Sequence, residues 1–177
     1  MQAMAIHPTQ ILTPRRFLIF SFCISLSLLC GAWFFQYALG YPPCQMCYWQ
    51  RHAHKLIIGL AVLAMILTRF TKSESPTSDR LWTYIIMLAF LISGGLALWH
   101  MGVEYKWWEG PKTCSGTPQL GTLTGNNLLD SLDEKINPPS CNEIVWSFLG
   151  LSMAGWNMVI SLCGCIMGLL SLKTKHG

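Results

Sequence analysis

Residues 17–39 decide the fold class, because they read FLIFSFCISLSLLCGAWFFQYAL and carry no charged side chain. A helix needs about 20 mostly apolar residues to cross the hydrocarbon core of a bilayer, and this stretch is long enough. Three further apolar stretches follow, at about residues 48–67, 81–101 and 144–172. None of the four alternates apolar and polar residues as the strands of a membrane barrel do. The sequence therefore predicts an all-α membrane protein, a bundle of four spanning helices in one domain over residues 1–177.

The composition of the whole chain agrees with this prediction. Hydrophobic residues make up 52% of the 177 residues and charged residues only 11%, whereas an ordinary soluble domain carries about 25% charged residues. Such a chain has too few polar side chains to cover a soluble globule, and it is too apolar to be disordered. The net charge of +4 is small and scattered along the chain. A nucleic-acid-binding surface, which needs clustered basic residues, is therefore not expected.

Basic residues near the ends of the apolar stretches predict the orientation. Lys and Arg concentrate in cytoplasmic segments. Those on one side are Arg15, Arg16, Arg69, Lys72, Arg80, Lys173 and Lys175, while acidic residues outnumber lysines on the other side. We therefore expect both termini in the cytoplasm and outer loops at about residues 40–47 and 102–143. We also expect the first helix to stay attached, because its apolar stretch exceeds that of a signal peptide and no small-residue cleavage site follows.

The long outer loop contains a segment with helical periodicity. Leu128, Leu129, Leu132 and Ile136 have the spacing of one helix face, and acidic residues lie opposite them. This pattern predicts a short amphipathic helix on the membrane surface. Close helix packing is predicted for the fourth span from a stripe of small residues. The stripe comprises Gly150, Ala154, Asn157, Ser161, Gly164 and Gly168.

The eight cysteines divide by topology. Four lie within the spans, and we interpret them as small apolar fillers: Cys23, Cys30, Cys163 and Cys165. The other four fall on the outer side: Cys44, Cys47, Cys114 and Cys141. An even number of cysteines in an oxidising compartment indicates disulfides. Three pairings are possible, and the CxxC spacing and the shared long loop favour Cys44–Cys47 and Cys114–Cys141.

The CxxC motif is predicted to begin the second span. Pro42 and Pro43 precede Cys44, and proline suits the first turn of a helix. Unpaired backbone N–H groups and the helix dipole at that end favour a thiolate. Cys44, Cys47 and Arg51 share one helix face. Arg51 would therefore favour the thiolate and offer hydrogen bonds to a polar ligand head, although a basic residue at this depth can also simply snorkel.

Other polar residues near this level each have two interpretations. His54 continues the stripe of Arg51, and Lys55 lies next to it, in a polar cavity or in a structural pair. His100 lies at the outer end of the third span, level with the CxxC, either as an interfacial histidine or with a ligand or proton role. Glycine and proline flank Cys114, and prolines precede Cys141, which is typical of irregular, mobile backbone.

With these residues together, the chain resembles the bacterial disulfide bond formation protein B (DsbB) family over nearly its whole length. The specific part is CQMCYWQR at residues 44–51, a CxxCxxxR motif at the start of span two, and Cys114 and Cys141 match the family's second cysteine pair. Some members carry a histidine shortly before the first loop cysteine, and here His100 lies fourteen residues before Cys114.

The resemblance implies a function. It implies a quinone-dependent protein-dithiol oxidoreductase of the bacterial inner membrane, with its redox cysteines on the periplasmic side. A DsbA-like thioredoxin-fold oxidase would exchange thiols at Cys114, and electrons would pass from the Cys114–Cys141 pair to the Cys44–Cys47 pair. From Cys47 they would reach a membrane quinone, ubiquinone or menaquinone, beside Arg51 and His100. No metal is implied.

Other classes fit parts of the pattern. The four outer cysteines could hold a structural zinc ion, although such sites usually come as two close pairs, and Cys114 and Cys141 are far apart in sequence. A disulfide-stapled membrane scaffold without turnover would have inert disulfides and no quinone dependence. A vitamin K epoxide reductase-type enzyme is also a four-helix bundle with a CxxC, but in that family the motif lies late in the chain.

Overall fold

The computed structural model describes residues 13–70, 76–111, 114 and 140–173. Among these residues four helices are long and apolar enough to cross a membrane, which confirms the predicted fold class. The elements are α1 (Pro14–Tyr37), α2 (Gln45–Phe70), α3 (Pro76–Glu104), β1 (Ser147–Phe148), β2 (Leu151–Ser152) and α4 (Met153–Lys173). The amphipathic helix predicted at about Leu128–Ile136 lies outside the described residues.

The start of the fourth span was predicted wrongly. Residues 144–152 are not helical, since β1 and β2 pair there as a short antiparallel hairpin. Its turn consists of Leu149 and Gly150, with φ angles of 51° and 80°, and such a turn suits the twist of paired strands. Ser152 then caps α4, because its Oγ accepts a hydrogen bond from the backbone N–H of Gly155 at 3.1 Å. Gly150 therefore belongs to the turn and not to the small-residue stripe.

The bundle packs mainly through its second and third helices. α2 packs on both α1 and α3, α3 packs on α4, and α1 and α4 meet less extensively. The stripe of small residues on α4 is buried from Ala154 to Gly168. A Cβ atom added at Gly164 would come within 3.0 Å of the Phe90 ring. The predicted close packing of α4 against α3 is therefore confirmed, and the less tightly packed side between α1 and α4 leaves room for a cavity.

The orientation of this bundle in the membrane stays a prediction, and it can be checked directly. Because basic residues flank the α2–α3 connection and both ends of the chain, a tag at the C-terminus should resist protease added to intact spheroplasts. A tag inserted at Gly121, in the long loop, should be cleaved under the same conditions. Cleavage of the C-terminal tag with protection at Gly121 would invert the topology and contradict the prediction.

Candidate redox site

The CxxC motif lies at the N-terminal tip of α2, as predicted. Cys44 directly precedes the helix and Cys47 is in its first turn. The two sulfurs are free thiols 3.1 Å apart, with Cys44 as the hydrogen-bond donor. The backbone N–H of Cys47 donates to the sulfur of Cys44 at 3.3 Å. The hydrogen bond to Cys47, reinforced by burial, raises the pKa of the Cys44 thiol well above its ordinary value. Cys44 therefore holds its proton and presents it to Cys47.

The second cysteine pair lies directly against the first. Cys114 and Cys141 form a disulfide with a Cα–Cα distance of 5.2 Å, which confirms this half of the favoured pairing, whereas Cys44 and Cys47 are in contact without being bonded. Both pack in one buried cluster with Cys44. Sulfur atoms of Cys44 and Cys141 lie within 4.8 Å of each other and of a ring nitrogen of His100. Cys141 is already bonded to Cys114, so its sulfur is not available as a thiolate ligand for a metal. The arrangement is instead suited to exchange between two disulfides.

The loop disulfide is buried, although its two cysteines were predicted to lie in irregular, mobile backbone. Cys114 retains 6% exposure and Cys141 none. The hydrophobic contact with Val103 and the CxxC segment holds both residues down on the bundle. Of the two residues, Cys114 is therefore the one that an incoming thiolate can reach more readily.

Arg51 is held inside the protein rather than extended to the surface. Its guanidinium donates to the side-chain oxygen of Gln36 and, at 3.1 Å, to the backbone carbonyl of Ala32, both on α1. The same group lies 5.6 Å from the centre of the Tyr48 ring, within the range of a cation–π contact. Lys55, in contrast, is exposed. Of the two basic side chains, only Arg51 is fixed beside the CxxC.

A cavity of about 450 Å³ opens between α1, α2 and α4, below the CxxC. Its apolar walls include Leu28, Phe35, Met153 and Ile160, and its polar groups include Cys47, Arg51, His54, His100, Glu104 and Asn157. Binding pockets for small molecules are commonly of this size, with mostly apolar walls and a few converging polar groups. The residues present therefore fit a quinone head group, with a sulfur and a guanidinium at one end of the space.

His100 is buried at the centre of the site. It is only 3% exposed, and its Nε2 lies 3.4 Å from the sulfur of Cys44. Its Nδ1 lies 2.8 Å from the amide nitrogen of Gln50. The carboxylate of Glu104, one turn further along α3, lies 3.9 Å from Nε2 and accepts a hydrogen bond from Ser152. His100 thus connects the CxxC to buried polar groups.

Sequence reasoning missed three of these buried polar residues: Gln50, Glu104 and Asn157. Gln50 and Asn157 are 8% exposed, as is Glu104. Glu104 was interpreted only as part of the charge asymmetry, and Asn157 only as a small packing residue. The available signal was that polar side chains buried within spanning helices are costly and mark functional sites.

Comparisons with known proteins agree with this geometry. The family model for disulfide bond formation protein DsbB matches residues 14–171. A disulfide bond formation protein B of Aromatoleum aromaticum is 27% identical, and the match covers 88% of this chain and 90% of the relative. One from Histophilus somni is 30% identical, with 82% and 78% covered, and one from Psychromonas ingrahamii is 31% identical, with 76% and 69% covered. On the strength of a family model that spans the whole bundle, the chain belongs to the disulfide bond formation protein B family of membrane-embedded, disulfide-forming oxidoreductases.

Proposed function

We propose that the protein reoxidises a soluble, periplasmic thiol oxidase of the DsbA type and passes its electrons to a quinone of the bacterial inner membrane. In each cycle the dithiol of the partner becomes a disulfide, and one quinone becomes one quinol. The two electrons and two protons that leave the partner are those that the quinone gains. The family supports this assignment, and the four outer cysteines supply the chemistry.

The first half of the cycle is exchange at the outer surface. A thiolate of the partner attacks Cys114, which breaks the Cys114–Cys141 bond and releases Cys141 as a thiolate. Cys141 lies within 4.8 Å of Cys44, so it can attack Cys44 of an oxidised CxxC. That step forms a Cys44–Cys141 disulfide and places the electron pair on Cys47. The second thiolate of the partner then attacks the mixed disulfide, which forms the partner's own disulfide and releases Cys114 as a thiolate. Each exchange forms one sulfur–sulfur bond and breaks another.

The second half of the cycle takes place at the cavity. Cys47 and Arg51 line it, and together they would hold a quinone head group. A bound quinone would supply the two-electron oxidant that disulfide exchange alone lacks. The guanidinium of Arg51 is fixed by two acceptors on α1, so it offers a positive charge that needs no rearrangement. A fixed charge of this kind favours both the thiolate of Cys47 and developing negative charge on a ligand.

The observation that carries the proposal is one continuous path. The Cys114–Cys141 disulfide packs on Cys44, and Cys44 contacts Cys47, which lines an apolar cavity. A stapled scaffold has no need of a second cysteine pair in contact with the first. The membrane cysteines give no such path, since Cys23, Cys30 and Cys163 are exposed on the helix surfaces.

Turnover by the purified protein tests the proposal. We expect ubiquinone or menaquinone analogues to be reduced in step with oxidation of a reduced thioredoxin-fold partner, one quinol for each partner disulfide formed. Absorbance of the quinone and thiol titration of the partner give the two rates. A Cys165→Ala variant serves as a matched control, because Cys165 is a buried cysteine remote from the site. Partner oxidation that proceeds at the same rate without quinone would contradict the proposal.

A further inference from the structure

A chain of buried side-chain hydrogen bonds crosses the bundle towards the CxxC. It begins at His54 on α2, whose Nε2 lies 2.8 Å from the side-chain oxygen of Asn157 on α4. The amide nitrogen of Asn157 donates to the side-chain oxygen of Gln50 at 2.6 Å. The amide nitrogen of Gln50 lies 2.8 Å from Nδ1 of His100 on α3. The same bonds join three of the four helices.

The order of donors and acceptors in this chain fixes the tautomer of His100. The oxygen of Gln50 is taken by Asn157, so the amide nitrogen of Gln50 faces His100. An amide nitrogen can only donate, and therefore Nδ1 of His100 accepts and carries no proton. The neutral ring must then carry its proton on Nε2, the nitrogen that lies 3.4 Å from the sulfur of Cys44.

Glu104 favours the same tautomer from the other side of the ring. Its Oε1 lies 3.9 Å from Nε2 of His100, and a carboxylate attracts a proton to the nitrogen that it faces. Its other oxygen is engaged by the hydroxyl of Ser152 at the start of α4. The amide of Gln50 on one side of the ring and the carboxylate of Glu104 on the other therefore both favour the proton on Nε2.

We propose that Gln50 and Asn157 are positioning residues that hold His100 as the Nε2–H tautomer, so that its ring donates a hydrogen bond to the sulfur of Cys44 during disulfide exchange. The inference rests on the proposed function, which makes Cys44 an exchanging sulfur. The step that this hydrogen bond assists is the re-formation of the Cys114–Cys141 disulfide. The thiolate of Cys114 attacks Cys141, the Cys114–Cys141 bond forms, and the Cys44–Cys141 bond breaks with its electron pair on Cys44.

Stabilisation of the departing Cys44 thiolate speeds this step, because exchange is faster when the leaving sulfur is the weaker base. The donor-to-acceptor direction of these hydrogen bonds then continues past Cys44. The thiol of Cys44 donates to Cys47, so every donor from Asn157 onward points towards the sulfur beside the cavity. Other charged or titratable groups near Cys44 are Cys47 and Arg51 on α2 and Glu104 on α3, and the described parts of α1 and α4 bring only uncharged partners.

Nitrogen NMR of the histidine rings tests the tautomer without quinone or partner. In the full-length protein labelled with 15N-histidine, we expect His100 to show a protonated Nε2 and a bare Nδ1, with its signals assigned by their loss in His100→Ala. Gln50→Glu presents a carboxylate oxygen to Nδ1 in place of a donor, and it should make Nδ1 protonated. A His100 proton on Nδ1 in the unaltered protein would overturn the inference.

Alkylation of Cys44 gives a second, chemical readout. In a Cys47→Ser background, site-resolved mass spectrometry reports the rate of Cys44 modification against pH. Loss of a hydrogen bond to a charged group should move the midpoint upward by about one to two pH units in His100→Ala. Gln50→Leu should move it upward by a smaller amount, because Glu104 still favours the Nε2–H tautomer. Gln36→Leu is the matched control, because the same substitution on α1 removes a contact to Arg51 only, and its midpoint should not move.

The outcomes separate the inference from the proposed function. If the pH midpoint of Cys44 alkylation were the same in Gln50→Leu as in the protein with Gln50 unaltered, a role for Gln50 would be refuted, even if the protein reduces quinone normally. A normal Nε2–H signal in a protein that never reduces quinone would instead refute the proposed function and leave the tautomer assignment standing. Retention of the Cys114–Cys141 disulfide in the same spectra shows that each variant has folded, and Gln50→Glu keeps the side-chain volume should Gln50→Leu fail to do so.

Discussion

Cys141→Ala should accumulate a covalent complex between Cys114 and the soluble thiol oxidase. In the proposed cycle, attack on Cys114 expels Cys141, whose sulfur lies within 4.8 Å of that of Cys44 and would carry the electrons onward. Without that sulfur, Cys114 starts as a free thiol and attacks the disulfide of an oxidised partner, which forms a mixed disulfide and frees the partner's second cysteine as a thiolate. Cys141 is then missing as a resolving sulfur, and return of the partner's own thiolate is the step that opposes the complex. We expect the complex to become a major form of the protein on a non-reducing gel and to vanish on reduction.

Two controls define that result. Cys165→Ala removes another buried cysteine, one that lies in the separate apolar core and donates to the backbone carbonyl of Met87, and it should trap nothing. Cys114→Ala combined with Cys141→Ala should abolish the complex, since the attacked sulfur is gone. A complex that persists in this double variant would mean that the partner reaches Cys47 directly, and the path from loop to CxxC would be wrong.

The sequence predicted the elements that depend on local pattern. Uncharged apolar runs set the four helices, and two prolines set the start of α2 just where Cys44 precedes it. The pairing of Cys114 with Cys141 also followed from the spacing of the other two cysteines. The hairpin before α4 was missed because residues 144–152 are apolar enough to extend a span, and hydropathy does not register a turn at Gly150 or a cap at Ser152.

The polar interior could not be predicted, because it depends on contacts between helices far apart in the chain. Gln50 and Asn157 are 107 positions apart in sequence, and the amide nitrogen of Asn157 lies 2.6 Å from the side-chain oxygen of Gln50. Nothing in the sequence near Asn157 distinguishes a packing residue from the link between two histidines. His54 was correctly placed on the stripe of Arg51, yet its partners Ser25 and Asn157 come from α1 and α4. Only the rotation of the helices about their axes decides this, and periodicity leaves that rotation open.

The position of Arg51 leads to the second large effect. Its guanidinium is held by α1 on one side and faces the cavity beside Cys47 on the other. Alanine would remove the charge while leaving both cysteine pairs and their contacts in place. The exchange of thiols between the partner and Cys114 should therefore continue, whereas any ligand that relies on the charge should bind less well.

Arg51→Ala should raise the apparent KM for quinone about ten- to a hundredfold, because a hydrogen bond to a charged group contributes roughly 1.5–3 kcal/mol. Steady-state quinone titrations measure this effect, and a single turnover of partner oxidation without added quinone measures exchange, which should keep its rate. Lys55→Ala is the matched control, since Lys55 is a basic residue one turn deeper on α2 that is exposed; its KM should stay normal. If Arg51→Ala instead used quinone normally while exchange slowed, the guanidinium would act on the cysteines alone. The assignment of the cavity beside it as the quinone site would then be wrong.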